Sequence, residues 1–255
     1  MNSSPYLNKP VSEWLEITNS LLVSHPLSIE EIVDSIHSAW NSVLATNVGH
    51  GITSMPLREI NPPATVIGYF FEKLLAKEIS KKYPDEWAGG VGSEQKDLHY
   101  IPNPRFSIEV KSSGQRGLKI FGNRSYGQTI ENSEKAKKDK SGYYITINFH
   151  NQHINLIRFG WIDASDWKPQ KSPTGQMAGL GDDVYNYKLI PLVGSYTLNA
   201  PIGMLSGVGK TMETTLSEIG IHTINDALLN EDKLTQKLKR VYTAAQEYNR
   251  KYGLK

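Results

Sequence analysis

Residues 106–111, Phe-Ser-Ile-Glu-Val-Lys, alternate between apolar and polar side chains, and this alternation constrains the fold more than any other segment of the chain. A period of two predicts a β-strand with Glu109 and Lys111 on one face. Residues 102–104, Pro-Asn-Pro, predict a turn just before it. A strand running into that turn would lie alongside residues 106–111 and bring Asp97 close to Glu109.

Two carboxylates and an ammonium group would then meet at one point of a sheet. Carboxylate oxygens suit Mg²⁺, a hard cation that usually keeps several waters. Lys111 could orient or help to deprotonate a water that attacks a phosphodiester. The alternative is a solvated hairpin edge, because an Asp followed by Glu-x-Lys often occurs by chance. The neighbouring segments decide between the two.

The composition is that of a folded protein without cysteine chemistry. The chain has 255 residues, 38% of them hydrophobic and 21% charged, so it can bury a substantial core. It has no cysteine, which excludes disulfides and thiolate zinc sites and is compatible with the cytoplasm, where we expect the protein. The net charge of +2 neither requires nor excludes nucleic acid. We expect no membrane span and no signal peptide.

Helical periodicity characterises the first third of the chain. Residues 11–46 carry two apolar stripes, and the Ser28-x-x-Glu31 capping box predicts the start of the second helix. After a break at residues 61–63, Asn-Pro-Pro, residues 64–83 predict an amphipathic helix. Its predicted inward residues are Ile67, Phe70, Phe71, Leu74, Leu75 and Ile79.

The middle of the chain predicts an α/β core. Residues 143–149 and 154–159 predict two strands joined by a short polar turn, and the basic residues 125–140 predict a helix before them. Helix, strands, helix and strand are the elements of a sheet enclosed by helices. Residues 160–200 show no clear period, so we expect an irregular extension. The predicted domains are an N-terminal helical region, 1–63, the core with its extension, 64–200, and a C-terminal region, 201–255.

Glu72 is a further candidate for the site. It lies in the predicted helix beside Phe70 and Phe71, close to the apolar face, where a carboxylate needs a partner or a water-filled cleft. It would serve as another ligand of the metal site, directly or through water. The alternative is a boundary residue paired with Lys73 or Lys77.

The segment after the Glu-Val-Lys strand, residues 112–128, is rich in hydrogen-bond donors. Glycines allow close backbone approach, and Arg and amide side chains can read base edges or clamp phosphate. We therefore expect contact with nucleic acid rather than a purely structural surface loop. The candidate DNA-binding residues are Gln115, Arg116, Lys119, Asn123, Arg124, Ser125, Tyr126 and Gln128.

Residues 202–228 resemble a helix-hairpin-helix element, with L-x-G-V-G-K followed by helical periodicity. Gly207, Gly209 and Lys210 would present backbone N–H groups and a cation to phosphate at a helix N-terminus, a sequence-independent grip on DNA. The alternative is a helical hairpin used only for packing or dimerisation. Residues 231–255 predict a basic helical tail, for which core or dimer packing is the favoured role.

Together these segments resemble the PD-(D/E)XK nuclease superfamily, and within it type II restriction endonucleases. The resemblance runs from the Glu72 helix through Asp97 and the Glu-Val-Lys strand to the strand at 143–149. F-G-N-R-S-Y-G-Q, R-F-G-W-I-D-A-S-D-W and T-G-Q-M-A resemble stretches of ScaI-type restriction enzymes. Lys96 departs from the pattern, since it stands where the superfamily name has proline. That position is frequently replaced and holds no metal, so the departure weakens the resemblance more than the mechanism.

The resemblance implies Mg²⁺-dependent double-strand cleavage of DNA at a short, palindromic site, leaving 5′-phosphate and 3′-hydroxyl ends. The implied fold is a restriction-endonuclease-like core, a mixed sheet flanked by helices, with N-terminal helices and a C-terminal helix-hairpin-helix region. Asp97, Glu109 and the carbonyl of Val110 would hold Mg²⁺, Lys111 would position the attacking water, and Glu72 would support the metal or its water. Palindromic recognition implies a homodimer, and restriction implies a DNA methyltransferase as a genetic partner.

Two other functions remain open from the sequence. A structure-specific repair or recombination nuclease would also use a helix-hairpin-helix element, although the E-R-K-x-x-x-D signature of the repair flap nucleases is absent. A noncatalytic DNA-binding protein would use the hairpin alone. Discrete plasmid fragments would argue against the first alternative, and binding without Mg²⁺-dependent cleavage would favour the second.

Overall fold

The computed structural model of the chain describes residues 4–92, 94–123, 126, 139–169, 177–236 and 238–253. The α-helices of this described part are α1 (Val11–Val23), α2 (Ile29–Ala45), α3 (Leu57–Ile60), α4 (Ala64–Lys82), α5 (Lys210–Glu218), α6 (Ile224–Leu229) and α7 (Lys239–Tyr252). Its strands are β1 (Asn47–Val48), β2 (Met55–Pro56), β3 (Trp87–Gly89), β4 (Leu98–Tyr100), β5 (Ile108–Ser113), β6 (Phe121–Asn123), β7 (Gly142–His150), β8 (His153–Ile162), β9 (Trp167–Pro169), β10 (Met177–Leu180) and β11 (Leu189–Pro191). None of these helices is long and apolar enough to cross a membrane.

A six-stranded sheet, in the order β11-β8-β7-β5-β4-β3, forms the centre of the α/β fold. β4 is antiparallel to both β3 and β5, and Leu98 pairs with Ile108. This is the predicted hairpin. Phe106 was predicted to lie on the second strand, but it belongs to the short 3₁₀ helix Pro104–Phe106 that completes the turn. The Asn103 side chain accepts a hydrogen bond from the N–H of Arg105. This local bond stabilises the bend, so the strand begins later than predicted.

β7 and β8 are the two strands predicted around residues 143–149 and 154–159, and both predictions are confirmed. They are joined by a two-residue turn in which Asn151 takes a positive φ of 52°. Nearly all of their residues are buried. Burial at consecutive positions is typical of strands that are covered on both faces.

The helix α4 matches the predicted helix 64–83 and covers one face of the sheet. It contacts α2, β3 and β5. A Cβ at Gly68 would lie 2.5 Å from the Oγ of Ser112 on β5. The glycine therefore lets the helix approach the strand that carries Glu109.

The helix α2 begins at the predicted capping box. The Ser28 side chain accepts a hydrogen bond from the N–H of Glu31, and the Glu31 carboxylate accepts one from the N–H of Ser28. α2 packs against α4, where the rings of Trp40 and Phe71 lie 5.7 Å apart. Phe70, predicted to point inward, is 36% exposed. The prediction was wrong for this residue, whose ring lies beside that of the exposed Tyr69.

A second sheet has the order β6-β10-β9, with both pairings antiparallel. The strands β9, β10 and β11 all lie within residues 160–200. The expectation of irregular structure there was wrong, because strands of three or four residues are too short to show a period in the sequence. The predicted helix over 125–140 falls almost entirely outside the described residues.

The chain divides into two compact units. One consists of Met1–Ser113, Lys119–Ile147 and Arg158–Ile190, and the other of Gly114–Leu118, Asn148–Ile157 and Pro191–Lys255. The second unit has a hydrophobic core of its own, to which α5, α6 and α7 contribute Leu216, Ile224 and Val241. The helix of the predicted basic tail is α7, which begins only at Lys239. The domain boundaries near residues 63 and 200 stay a prediction.

Candidate active site

The hairpin of β4 and β5 brings Asp97 to the strand that carries Glu109. Asp97 directly precedes β4, and the antiparallel pair of Leu98 and Ile108 places it opposite Glu109. The Oδ2 atom of Asp97 accepts a hydrogen bond from the N–H of Val110 at 2.8 Å. The close approach of these two segments is what the turn and the alternation predict.

Glu109 is the most buried charged group of the cluster, with 3% of its surface exposed. The Lys111 ammonium group donates to its Oε1 at 2.6 Å and to the main-chain oxygen of Val110 at 3.1 Å. The Tyr126 hydroxyl donates to the same Oε1 at 2.7 Å. Burial, followed by the Glu109 carboxylate, raises the pKa of Tyr126, so its hydroxyl stays protonated and donates at neutral pH.

Glu72 adds a further carboxylate from α4. Burial and the neighbouring Asp97 raise the pKa of Glu72, while Lys73 and Lys111 act in the opposite direction. The ammonium group of Lys73 lies 3.3 Å from the Glu72 carboxylate. Glu72 therefore has the lysine partner expected of a boundary residue, and it also interacts electrostatically with Asp97 and Lys111. Gly68 lies one turn before Glu72, so the close packing of α4 on β5 brings this helix residue towards the strand.

The oxygens of Asp97, Glu109 and Val110 fit a hard divalent cation. Two carboxylates and a carbonyl are ligand types that such cations take. The positively charged ammonium group of Lys111 already binds two of these groups, the Glu109 carboxylate and the Val110 carbonyl. Among the described residues, no group of three His, Cys, Asp or Glu side chains lies close enough together to hold a metal ion. A metal would therefore depend on the main-chain oxygen as well as on the carboxylates.

Exposure separates the predicted DNA-binding residues of the 112–128 segment. Gln115, Lys119 and Asn123 are exposed, as a DNA contact requires. Tyr126 is only partly exposed, and its hydroxyl is bonded to Glu109. The remaining candidates that lie outside the described residues are Arg124, Ser125 and Gln128.

Arg116, another predicted DNA contact, is held by an ion pair within the second unit. Its guanidinium group donates to both carboxylate oxygens of Glu213 at 2.6 Å. Glu213 lies in the first turn of α5 and packs against Gly203, where a Cβ would come within 2.6 Å of its Oε1. A DNA phosphate would have to compete with this carboxylate for Arg116.

The Gly207-Val208-Gly209 turn leads directly into α5. Val208 is buried, and Gly207 takes a positive φ of 82°, a conformation that favours glycine. Gly209 is the N-cap of α5 and Lys210 its first residue, and both are exposed together with Gly207. The short 3₁₀ helix Ile202–Met204 precedes the turn. The turn has the exposed main chain and the helix N-terminus that a phosphate grip needs.

Gly122 and Trp167 pack against Tyr126, and the sequence pattern did not identify either as part of the site. The rings of Tyr126 and Trp167 lie 4.8 Å apart, and a Cβ at Gly122 would lie 2.9 Å from the Cγ of Tyr126. The sequence feature that could have identified them is the resemblance to ScaI-type enzymes, since Gly122 lies in F-G-N-R-S-Y-G-Q and Trp167 in R-F-G-W-I-D-A-S-D-W. Ala178, in the third stretch, pairs with Gly122.

The sequence matches known proteins over most of its length. The model of the ScaI restriction endonuclease family matches residues 4–193. The type II restriction enzyme ScaI of Streptomyces caespitosus is 36% identical over 199 residues, which cover 75% of this chain and 85% of that protein. No solved structure matches the chain.

The match confirms the resemblance to ScaI-type restriction enzymes. It also identifies the six-stranded sheet and its helices as the restriction-endonuclease-like core that the resemblance implies. The family match includes Glu72, Asp97, Glu109 and Lys111 and stops before the Gly-Val-Gly turn. The chain belongs to the ScaI restriction endonuclease family.

Proposed function

We propose that this restriction endonuclease makes Mg²⁺-dependent double-strand cuts in DNA at a short, palindromic site, leaving 5′-phosphate and 3′-hydroxyl ends. The observation that carries the proposal is the meeting of Asp97, Glu109 and Lys111 on two antiparallel strands. The partly buried carboxylate of Glu72 lies next to them. Membership of the ScaI family supports the same activity.

Asp97, Glu109 and the carbonyl of Val110 would hold the divalent cation. When bound, Mg²⁺ would lower the pKa of a coordinated water and neutralise charge on the phosphate. Lys111 would orient the attacking water, because its ammonium group lies within hydrogen-bond distance of Glu109 and Val110. Glu72 would hold a water of the site by a hydrogen bond, since its carboxylate is close enough to interact with Asp97 and Lys111.

The exposed side chains Gln115, Lys119 and Asn123 would contact DNA, and the turn ending at Lys210 would bind phosphate through exposed main chain and one cation. Arg116 would join them after exchanging Glu213 for a phosphate. Because a palindrome presents the same half-site twice, the active form would be a homodimer. A methyltransferase of matching specificity is the expected genetic partner, and the cytoplasm is the expected location.

Asp97→Ala and Lys111→Ala should each abolish plasmid cleavage in the presence of Mg²⁺, because each removes one charge from the cluster. We expect a rate loss of at least roughly 1,000-fold, as is common when a catalytic group is removed. Lys77→Ala, an exposed lysine of α4, is the matched control and should cleave normally. Circular dichroism would verify that all variants fold. Full activity of either site variant would contradict the proposal.

A structure-specific nuclease is the second candidate, because the Gly-Val-Gly turn with α5 and α6 lies beyond the family match and suits sequence-independent binding. Sequencing the ends of plasmid fragments distinguishes the two functions. Discrete fragments that share one end sequence support the restriction enzyme, and cuts placed at flaps or junctions regardless of sequence support the second candidate. Binding without any cleavage would instead support a noncatalytic DNA-binding protein.

A further inference from the structure

The carboxylate of Glu109 receives two donors on one oxygen. Lys111 donates to Oε1 from two residues away on the same strand, at 2.6 Å. Tyr126 donates to the same atom at 2.7 Å, from a position 17 residues further along the chain. Lys111 contributes a positive charge, whereas the Tyr126 hydroxyl contributes a directional hydrogen bond and no charge. The two donors together define the orientation of a carboxylate that is 3% exposed.

The Tyr126 ring is held in place by close packing. Its centroid lies 4.8 Å from that of Trp167, with the planes at 63° to each other. A Cβ at Gly122 would lie 2.9 Å from the Tyr126 Cγ and 3.1 Å from the Trp167 ring, so only glycine leaves room there. The ammonium groups of Lys111 and Lys140 lie over the ring, at 5.2 Å and 5.4 Å from its centroid. These contacts aim the hydroxyl at Glu109.

The small three-stranded sheet is the support for this arrangement. Gly122 lies on β6, Trp167 begins β9, and β10 pairs with both strands, through Ala178 with Gly122 and through Leu180 with Trp167. This sheet, together with Tyr144, Ile162 and the residues around them, forms a buried apolar cluster against which Tyr126 packs. The segment that lacked a sequence period therefore orients a side chain of the candidate active site.

We propose that Tyr126 is a positioning residue that holds the Glu109 carboxylate in the orientation needed to bind the divalent cation. The inference rests on the proposed function and assigns Tyr126 a different role from the base or phosphate contact that the sequence suggests. Its hydroxyl is already bonded within the protein, and its ring is enclosed by Trp167 and Gly122. Partners that orient a metal ligand in this way typically change metal affinity by about 10- to 100-fold when they are removed.

Tyr126→Phe tests the inference, because it removes only the hydroxyl and keeps the ring between Trp167 and Gly122. Tyr185→Phe is the matched control: Tyr185 packs on the same cluster, and its hydroxyl accepts a hydrogen bond from the N–H of Ile120 at 2.8 Å instead of contacting Glu109. Calorimetric titration of the DNA-free proteins with Mn²⁺ measures metal affinity directly. We expect binding about 10- to 100-fold weaker in Tyr126→Phe and unchanged in Tyr185→Phe.

The Mg²⁺ concentration for half-maximal cleavage should rise with the same ratio, and saturating Mg²⁺ should restore most of the rate. A lower maximal rate at an unchanged Mg²⁺ requirement would indicate a loss of folded protein rather than weaker metal binding. That result would overturn the inference. DNA affinity measured by fluorescence anisotropy in EDTA should equal that of the wild type. Weaker DNA binding with unchanged Mn²⁺ affinity would make Tyr126 a DNA contact instead. Wild-type protein that neither binds Mn²⁺ nor cleaves DNA would overturn the proposed function itself.

Discussion

Lys188, Asp163 and Asp166 form a second buried charge cluster, and its role is structural. Lys188 is 2% exposed and donates to the carboxylates of Asp163 and Asp166, each at 2.9 Å. Its ammonium group lies 4.3 Å from the ring centroids of both Tyr6 and Trp14. The buried ammonium group is thus paired with two carboxylates and stabilised by two aromatic rings. The aspartates of the R-F-G-W-I-D-A-S-D-W stretch therefore hold the N-terminal segment to the core.

His25 is a buried residue whose protonation state the fold controls. It is 7% exposed and packs against the rings of Tyr143 and Phe159. Its Nδ1 accepts the N–H of Leu27 at 3.1 Å, so a neutral ring directs its Nε2–H to the carbonyl of Phe106, also at 3.1 Å. Burial lowers the pKa of His25 from 6.5 to about 4.

The free energy of unfolding should therefore fall as the pH decreases from about 6.5 to about 4, because the unfolded chain takes up a proton that the folded protein excludes. The stabilisation is complete above this range, and about 3 kcal/mol should be lost across it. Urea unfolding at several pH values measures the effect. His25→Phe should lack this step, and His153→Gln, at an exposed position, should keep it. Equal pH slopes in His25→Phe and the wild type would contradict the prediction.

Among helices and strands, the long periodic elements could be predicted and the short ones could not. α2, α4, β7 and β8 have clear patterns over many residues, and the structure confirms each of them. β9, β10 and β11 have three or four residues each, so their pairing depends on partners distant in the chain. Tyr126 and Glu109 were each predicted as functional residues, but the hydrogen bond between them was not, because that contact depends on how these short strands pack.

The pairing of β8 with β11 depends on Gly160. A Cβ at this position would lie 1.8 Å from the main-chain oxygen of Lys188, so Gly160→Ala must push the two strands apart. We expect a loss of about 1–3 kcal/mol in the free energy of unfolding, the usual cost of overpacking. Gly179→Ala, on β10, is the control, since its Cβ would meet no described atom within 4 Å and should leave stability nearly unchanged. Equal stabilities of the two variants, measured by urea unfolding, would disprove the role of Gly160.

For the molecule as a whole, the family match and the division into units give different boundaries. The ScaI family matches residues 4–193. The second unit also takes in Gly114–Leu118 and Asn148–Ile157, which lie inside that match. The helices α5, α6 and α7 lie beyond it. We infer that these helices add DNA affinity to a nuclease whose cleavage site lies in the matched part.

Lys210→Ala tests this inference. The substitution should weaken DNA binding uniformly across sequences and reduce the slope of log affinity against log salt concentration by about 1, because one phosphate contact is lost. The cleaved sequence should not change. Lys233→Ala, another exposed lysine of the second unit, should leave the slope as it is. A change in the cleaved sequence on Lys210→Ala would show that the turn reads bases rather than phosphates.

Local patterns alone were sufficient to predict the hairpin, the charges it carries and the family. Alternation and a Pro-Asn-Pro turn act on neighbouring residues, so Asp97, Glu109 and Lys111 could be brought together from the sequence. The partners of these charges could be identified only in the folded molecule. Tyr126 contacts Glu109 only when β6, β9 and β10 have paired. Glu72 comes close enough to Asp97 to interact electrostatically only when α4 lies on β5. Contacts between distant segments depend on how whole elements fit together, and no short sequence period encodes that fit.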